Sequence, residues 1–311
     1  MSRDAGPWEG TTEMAPALAV QHFTQPPNWE WYILGYFFLA GLAGGCYVLG
    51  TMLRLWGGPA DEPAARIAFI AALICVALCP ILLTVDLGQP LLFWHMLINT
   101  GDGGLSFKYW SPMSVGAYAL LFFGIFAFVS AVEAFLSWRG NGLLGVFAAG
   151  PLAVVWMVIG SLLGLYIASY TGVLLAVSNQ PVWSDSWALG ALFLASGMSG
   201  AAALLVLLAL RWRAAATSSD VLATADAYFI VLEAILIVIF LVTLGIAGTI
   251  SHLFAPLWLL LWILVLAGLL LPAAVRFRLL RESALPAVVI PLVVLVGVLA
   301  LRAVVIFGAQ Y

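Results

Sequence analysis

Four ionisable side chains lie in or against long apolar runs: Asp86, Glu133, Glu233 and Arg302. A charge inside a bilayer is costly, so each is a candidate for holding or moving a proton. Asp86 closes an apolar run and opens the turn Asp86-Leu87-Gly88-Gln89-Pro90. A carboxylate at a helix C-terminus opposes the macrodipole, which suits a proton acceptor better than a cap. Glu133 lies near the end of its run, where it can snorkel or pair with Arg139. Glu233 lies too deep to snorkel and must be neutral or paired. Proton relay and structural hydrogen bonding account for it equally well. Arg302 keeps its charge. It needs a carboxylate, Asp86 or Glu233, or a ring of carbonyls. Together the four form a candidate proton relay.

A second set of polar residues falls at the depth of Asp86. Asn28 and Trp29 precede the first apolar run, Ser111 and Ser114 open the third, and Tyr170 ends the fourth in Tyr170-Thr171-Gly172. An apolar pocket with a few convergent polar groups is a ligand-site signature. A quinone head group fits it: two carbonyls that need donors, an apolar ring and tail that need lipid access, and protons to exchange. An aromatic belt without a ligand is the alternative. Cys46, Cys75 and Cys79 lie inside apolar runs and read as small packing residues. His22, His95 and His252 all fall outside the middle of such runs, so a transmembrane bis-histidine haem is not expected. Nor is a metal site in this protein.

The elements that carry these residues are helices. Of 311 residues, 65% are hydrophobic and 8% charged, against about 25% charged in a soluble domain. A span needs about 20 mostly apolar residues. Eight such runs occur, near 30–53, 66–85, 112–136, 149–176, 187–210, 222–246, 255–275 and 286–307. The expected fold is all-α: eight transmembrane helices in two four-helix bundles, 29–176 with the ligand site and 177–311, after an exposed tail, 1–28. Phe38-Leu39-Ala40-Gly41 and Phe193-Leu194-Ala195-Ser196, half the chain apart, give a faint repeat. Arg54, Arg66, Arg139, Arg211, Arg213, Arg276, Arg278 and Arg281 mark one side of the bundle, which predicts that side as cytoplasmic and both termini as outside. Trp29, Trp31, Trp94, Trp110 and Trp183 then form an outer aromatic belt. The net charge of −3, without a basic run, points away from nucleic acid.

Several of these stretches resemble the NrfD/polysulfide reductase membrane-subunit family. They are Tyr36–Gly45 (YFFLAGLAGG), DLGQP followed by Phe93-Trp94, Ser111–Gly116 (SPMSVG), Tyr170-Thr171-Gly172, and Arg302 with Gly308-Ala309-Gln310. The resemblance implies a quinone-reactive anchor with eight helices and no haem, in a bacterial or archaeal inner membrane. It implies menaquinone or ubiquinone bound near the outer face, and an iron–sulfur partner of the four-cluster ferredoxin type. A molybdopterin or multihaem cytochrome subunit would lie beyond. It makes Asp86 a quinone-site carboxylate and Tyr170 a head-group donor, with Asn28 and Trp29 at the site. Family members often carry a histidine near the start of the first helix. Here that region holds Trp29, Glu30 and Trp31, and His95 could compensate. Two other functions are open: a redox-driven proton-translocating subunit and a secondary transporter, which a parallel half-repeat and Glu233 would suit.

Overall fold

The computed structural model describes residues 27–99, 101, 103–276 and 287–310. The expected tail, with His22, lies outside them except for its last two residues, as do Arg278 and Arg281. Eight long helices follow in order: α1 (Trp31–Trp56), α2 (Glu62–Asp86), α3 (Pro112–Trp138), α4 (Pro151–Ala176), α5 (Leu189–Arg211), α6 (Ser219–Ala247), α7 (Pro256–Arg276) and α8 (Val289–Gly308). All eight are long and apolar enough to cross a membrane. The expected helical membrane fold holds, and the boundaries shift by only a few residues.

Proline sets several starts, because its fixed φ suits the first helical turn and its missing N–H would be unpaired there. Pro112, Pro151 and Pro256 each open a helix. Ser111 caps α3 by accepting from the Ser114 N–H at 3.4 Å. Between α2 and α3 the chain forms a 3-10 turn, Pro90–Met96, and one antiparallel bridge, Ile98 with Leu105.

Helix α1 is the most enclosed span. It packs on α2, α4 and α5, while α5 packs on α6 and α8. Lipid and helix interior are equally apolar, so close backbone approach must supply the packing energy. Small residues permit it. Gly44 of α1 meets Gly164 of α4, and a Cβ on Gly41 would lie 3.2 Å from the Gly197 Cα of α5. Phe37 and Phe193 meet edge-on one turn away, with centroids 6.2 Å apart. This crossing is one residue off the register read from the repeat.

The aromatic belt holds only in part. Trp31, Trp94 and Trp110 are exposed, but Trp183 is fully buried. Its indole N–H donates to the Val305 carbonyl at 2.7 Å, and its ring stacks on Trp29. The segment after α4 thus tucks into the helices. Its buried Val182 has φ 73°, an unfavourable region for a β-branched residue. The Asp185 carboxylate, which accepts from the Val182 N–H and the Thr249 hydroxyl, holds it there.

Candidate functional site

The expected rim residues separate into two groups. Asp86, the last residue of α2, is exposed, and its charge interacts with that of Glu30 just before α1. Neither carboxylate pairs with a cation among the described residues. One or two turns deeper, Tyr36 of α1 is buried and lies near Cys79 of α2 and near Tyr166 and Tyr170 of α4. Tyr166 and Tyr170 stack with centroids 5.7 Å apart. Tyr170 fits because Gly116 has no side chain; a Cβ there would strike its ring.

Tyr170 itself is not an open donor, contrary to expectation. Its hydroxyl donates to the Pro112 carbonyl at 2.9 Å, and a phenol has one proton to give. Ser114 is engaged in the same way. Its hydroxyl donates to the Ser106 carbonyl at 3.1 Å and accepts from the Lys108 N–H at 3.0 Å. These two residues fasten the loop between α2 and α3, as does Tyr118, which donates to the Leu97 carbonyl at 2.6 Å. The hydroxyls of Tyr36 and Tyr166 donate to no described residue. Sequence reasoning missed both, although Tyr36 opens one of the family-like stretches.

Asn28 is exposed. Trp29 turns toward Trp183 and Phe37, and its backbone N–H donates to the Gln310 side chain at 2.8 Å. It therefore joins α1 to the end of α8 rather than facing Asp86. His95 is half-buried on the 3-10 turn, its ring against Trp94.

The remaining ionisable candidates occupy two further places. Glu133 pairs with Arg54 at 2.7 Å and accepts from Ser137 at 2.7 Å. Arg54 also pairs with Glu62, and Glu62 with Arg66, so one network ties α1, α2 and α3 at the arginine-rich end. The expected partner Arg139 lies over the Phe135 ring instead. Glu133 is 1% exposed and faces the interior, which Arg139 cannot reach.

Arg302 is fully buried between α1, α5 and α8. Of the two expected solutions it takes the carbonyl ring. Nε donates to the Phe37 carbonyl at 3.3 Å, Nη2 to the Phe193 carbonyl at 3.1 Å, and Nη1 to the Val298 carbonyl at 3.2 Å and the Ser196 hydroxyl at 2.9 Å. The guanidinium also stands 5.1 Å from the Phe193 ring centre, a cation–π distance. Glu233 of α6 is buried in the neighbourhood of Ser196 and Arg302, so the carboxyl and the guanidinium share one apolar interior. A further buried acid, Asp226, accepts from Ser199 at 2.7 Å. The signal was legible: Asp226 and Glu233 lie two turns apart on one face of α6. The four relay candidates therefore stand at three separate places: Asp86 at one end, Glu133 at the other, and Glu233 with Arg302 between. Among the described residues no three of His, Cys, Asp and Glu gather into a metal-binding group.

The sequence model described as Polysulphide reductase, NrfD matches residues 20–311. The chain belongs to this family. It is similar to a polysulfide reductase chain of Wolinella succinogenes, 29% identical over 314 aligned residues, which cover 91% of this protein and 94% of that one. Protein NrfD of Escherichia coli is 28% identical over 313 residues, covering 91% of this protein and 95% of that one. A shorter match, 23% identical over 120 residues, joins 39% of this protein to 26% of a selenate reductase subunit of Mesobacillus selenatarsenatis.

The stretches that resembled the NrfD family have physical roles here. DLGQP ends α2 at Asp86, with Gly88 at φ 66° making the turn. SPMSVG caps α3 and leaves room at Gly116 for the YTG tyrosine. Gln310 of the tail clasps Trp29 from both sides, its Nε2 donating to the Trp29 carbonyl at 3.3 Å.

Proposed function

We propose that this protein is the quinone-reactive membrane subunit of a multi-subunit oxidoreductase. One observation carries the reading. At the Asp86 end, α1, α2 and α4 gather two carboxylates that have no cation, and two phenols whose hydroxyls have no partner, among the described residues. The surrounding wall is apolar and lipid-accessible, with Ile81 57% and Val85 47% exposed.

This donor set fits a quinone. Tyr36 and Tyr166 can each donate to a carbonyl oxygen. Asp86 can take a proton from a hydroquinone hydroxyl and release it to water, because it is exposed. Glu30 beside it is a second carboxylate through which that proton can reach water. Tyr170, fixed on the Pro112 carbonyl, supports the stack that orients Tyr166. A bound quinone supplies the two-electron, two-proton chemistry. Menaquinone and ubiquinone both suit these residues. We place Asn28, Trp29 and His95 at the margin of the site.

The electrons pass to or from a partner. Two similar proteins are named as parts of a reductase, which supports a complex with an iron–sulfur subunit of the four-cluster ferredoxin type and a molybdopterin or multihaem subunit beyond it. The setting is a bacterial inner membrane, with the Asp86 end on the periplasmic side and 29–176 as the quinone-binding half.

The test is quinol-dependent reduction of the partner in the intact complex. Asp86→Asn should lower kcat/KM on the order of 100-fold, as loss of a positioned base does. Tyr36→Phe should raise KM about tenfold, the worth of one hydrogen bond near 1.4 kcal/mol. Unaltered kinetics in both variants would remove the proposed site.

A further inference from the structure

At the arginine-rich end, α5, α6, α7 and α8 enclose a cavity of about 460 Å³. Its wall is largely apolar and carries Asp220, Asp226 and Arg276. Asp226 is the deepest of these acids along α6 and is 8% exposed. It bonds Ser199 of α5 and has no cationic partner among the described residues.

Two turns farther along α6, about 10 Å at 1.5 Å per residue, stands Glu233, 4% exposed. Helices α5 and α6 run antiparallel, so Asp226, bonded to Ser199, and Glu233, near Ser196, lie between the same two helices. Around Glu233, α7 presents Val265, Gly268 and Leu269, and α8 presents Val294, Gly297 and Val298. Beyond Glu233 stands Arg302, whose guanidinium donates to Ser196. The two acids thus stand in order between the cavity and a fixed positive charge.

We propose that Asp226 and Glu233 form a proton-binding well filled from the arginine-rich face, with Arg302 as the charge that closes it toward the Asp86 face. A carboxyl in an apolar bundle is stable when it carries its proton. That proton needs a route from water. The cavity brings water to Asp226, a water-borne proton transfers to its carboxylate, and Asp226 gives up a proton that intervening water carries on to the Glu233 carboxylate, leaving Asp226 ionised again. No electrons move in this step. The positive charge of Arg302 attracts the carboxylate that Glu233 leaves behind when the proton departs, and it repels an excess proton beyond it. The well goes beyond quinone binding and rests on the redox reading only for the force that would drive its turnover.

The well is tested in the full-length protein within its complex, in oriented vesicles, by infrared difference spectra after a pH jump on one face. The expected result is a carboxylic-acid C=O band that answers a jump on the arginine-rich face and is absent in Glu233→Gln. It should rise at least tenfold more slowly in Asp226→Asn and in Ser199→Ala. A band that answers only the opposite face, or keeps its rate in both slow variants, overturns the proposal. Ala223→Cys, on the cavity wall, covers the case in which the acid variants fail to fold. It should react with a membrane-impermeant thiol reagent from the arginine-rich face and not from the other. The native cysteines are buried and serve as the background. Reaction from the Asp86 face alone, or from neither, refutes the inlet. Because neither readout uses quinol, an inert quinone site with an intact band sinks only the quinone reading.

Discussion

Arg302 and Arg54 are both buried arginines, and they are satisfied in opposite ways. Arg302 has main-chain carbonyls and a hydroxyl. Those carbonyls belong to helices, and each has a second lone pair to offer. Arg54 has two carboxylates, Glu62 and Glu133. Removing one partner of a buried pair leaves an uncompensated charge. Glu133→Gln should therefore lower stability by about 3 kcal/mol, the lower end for a buried pair, because Arg54 keeps Glu62. Arg139→Gln should change it by less than about 1 kcal/mol, as for an exposed charge. Thermal unfolding in detergent compares the two. Equal losses would mean that the Arg54 network does not carry the stability assigned to it.

At the scale of elements, the α1–α5 crossing fixes where Arg302 sits. A Cβ on Gly41 would lie 2.6 Å from the guanidinium and 3.2 Å from Gly197, so it must displace a helix or the arginine. Overpacking of this kind costs about 1–3 kcal/mol. Gly124 of α3 has open space around its Cα. There alanine should stabilise by up to about 1 kcal/mol through helix propensity. Gly41→Ala and Gly124→Ala should thus shift the unfolding midpoint in opposite directions. A downward shift in Gly124→Ala, or none in Gly41→Ala, would show that close backbone contact is not what packs these helices.

At the scale of the whole molecule, the even number of spans puts the first and last described residues at one end, where Gln310 clasps Trp29. Among the described residues Arg54, Arg66, Arg139, Arg211 and Arg276 gather at the other end. If lysine and arginine set the orientation, that end faces the cytoplasm. A C-terminal alkaline phosphatase fusion should then be active, and a C-terminal green fluorescent protein fusion dark. The reverse pattern would invert the orientation and move the proposed quinone site to the cytoplasmic face.

Span number, helix starts and the boundary position of Asp86 were legible in the sequence because hydropathy and proline geometry are local properties. So was the need of Arg302 for carbonyls or a carboxylate, since desolvation cost depends on depth alone. Which solution each charge takes was not legible. Glu133 turned to Arg54 rather than Arg139, and Tyr170 donates its hydrogen bond to the Pro112 carbonyl, because partner choice depends on which helix faces meet. Trp183 read as a belt residue and is buried, since its segment tucks inward between helices far apart in the chain. Asp226, inside the sixth apolar run, was not among the candidates, and its partner was not legible, since only the packing of α5 against α6 set it beside Ser199. The sequence by itself determined the solvent, the secondary structure and the short list of charges. Tertiary structure alone decided their partners, because those contacts join residues that nothing local in the chain relates.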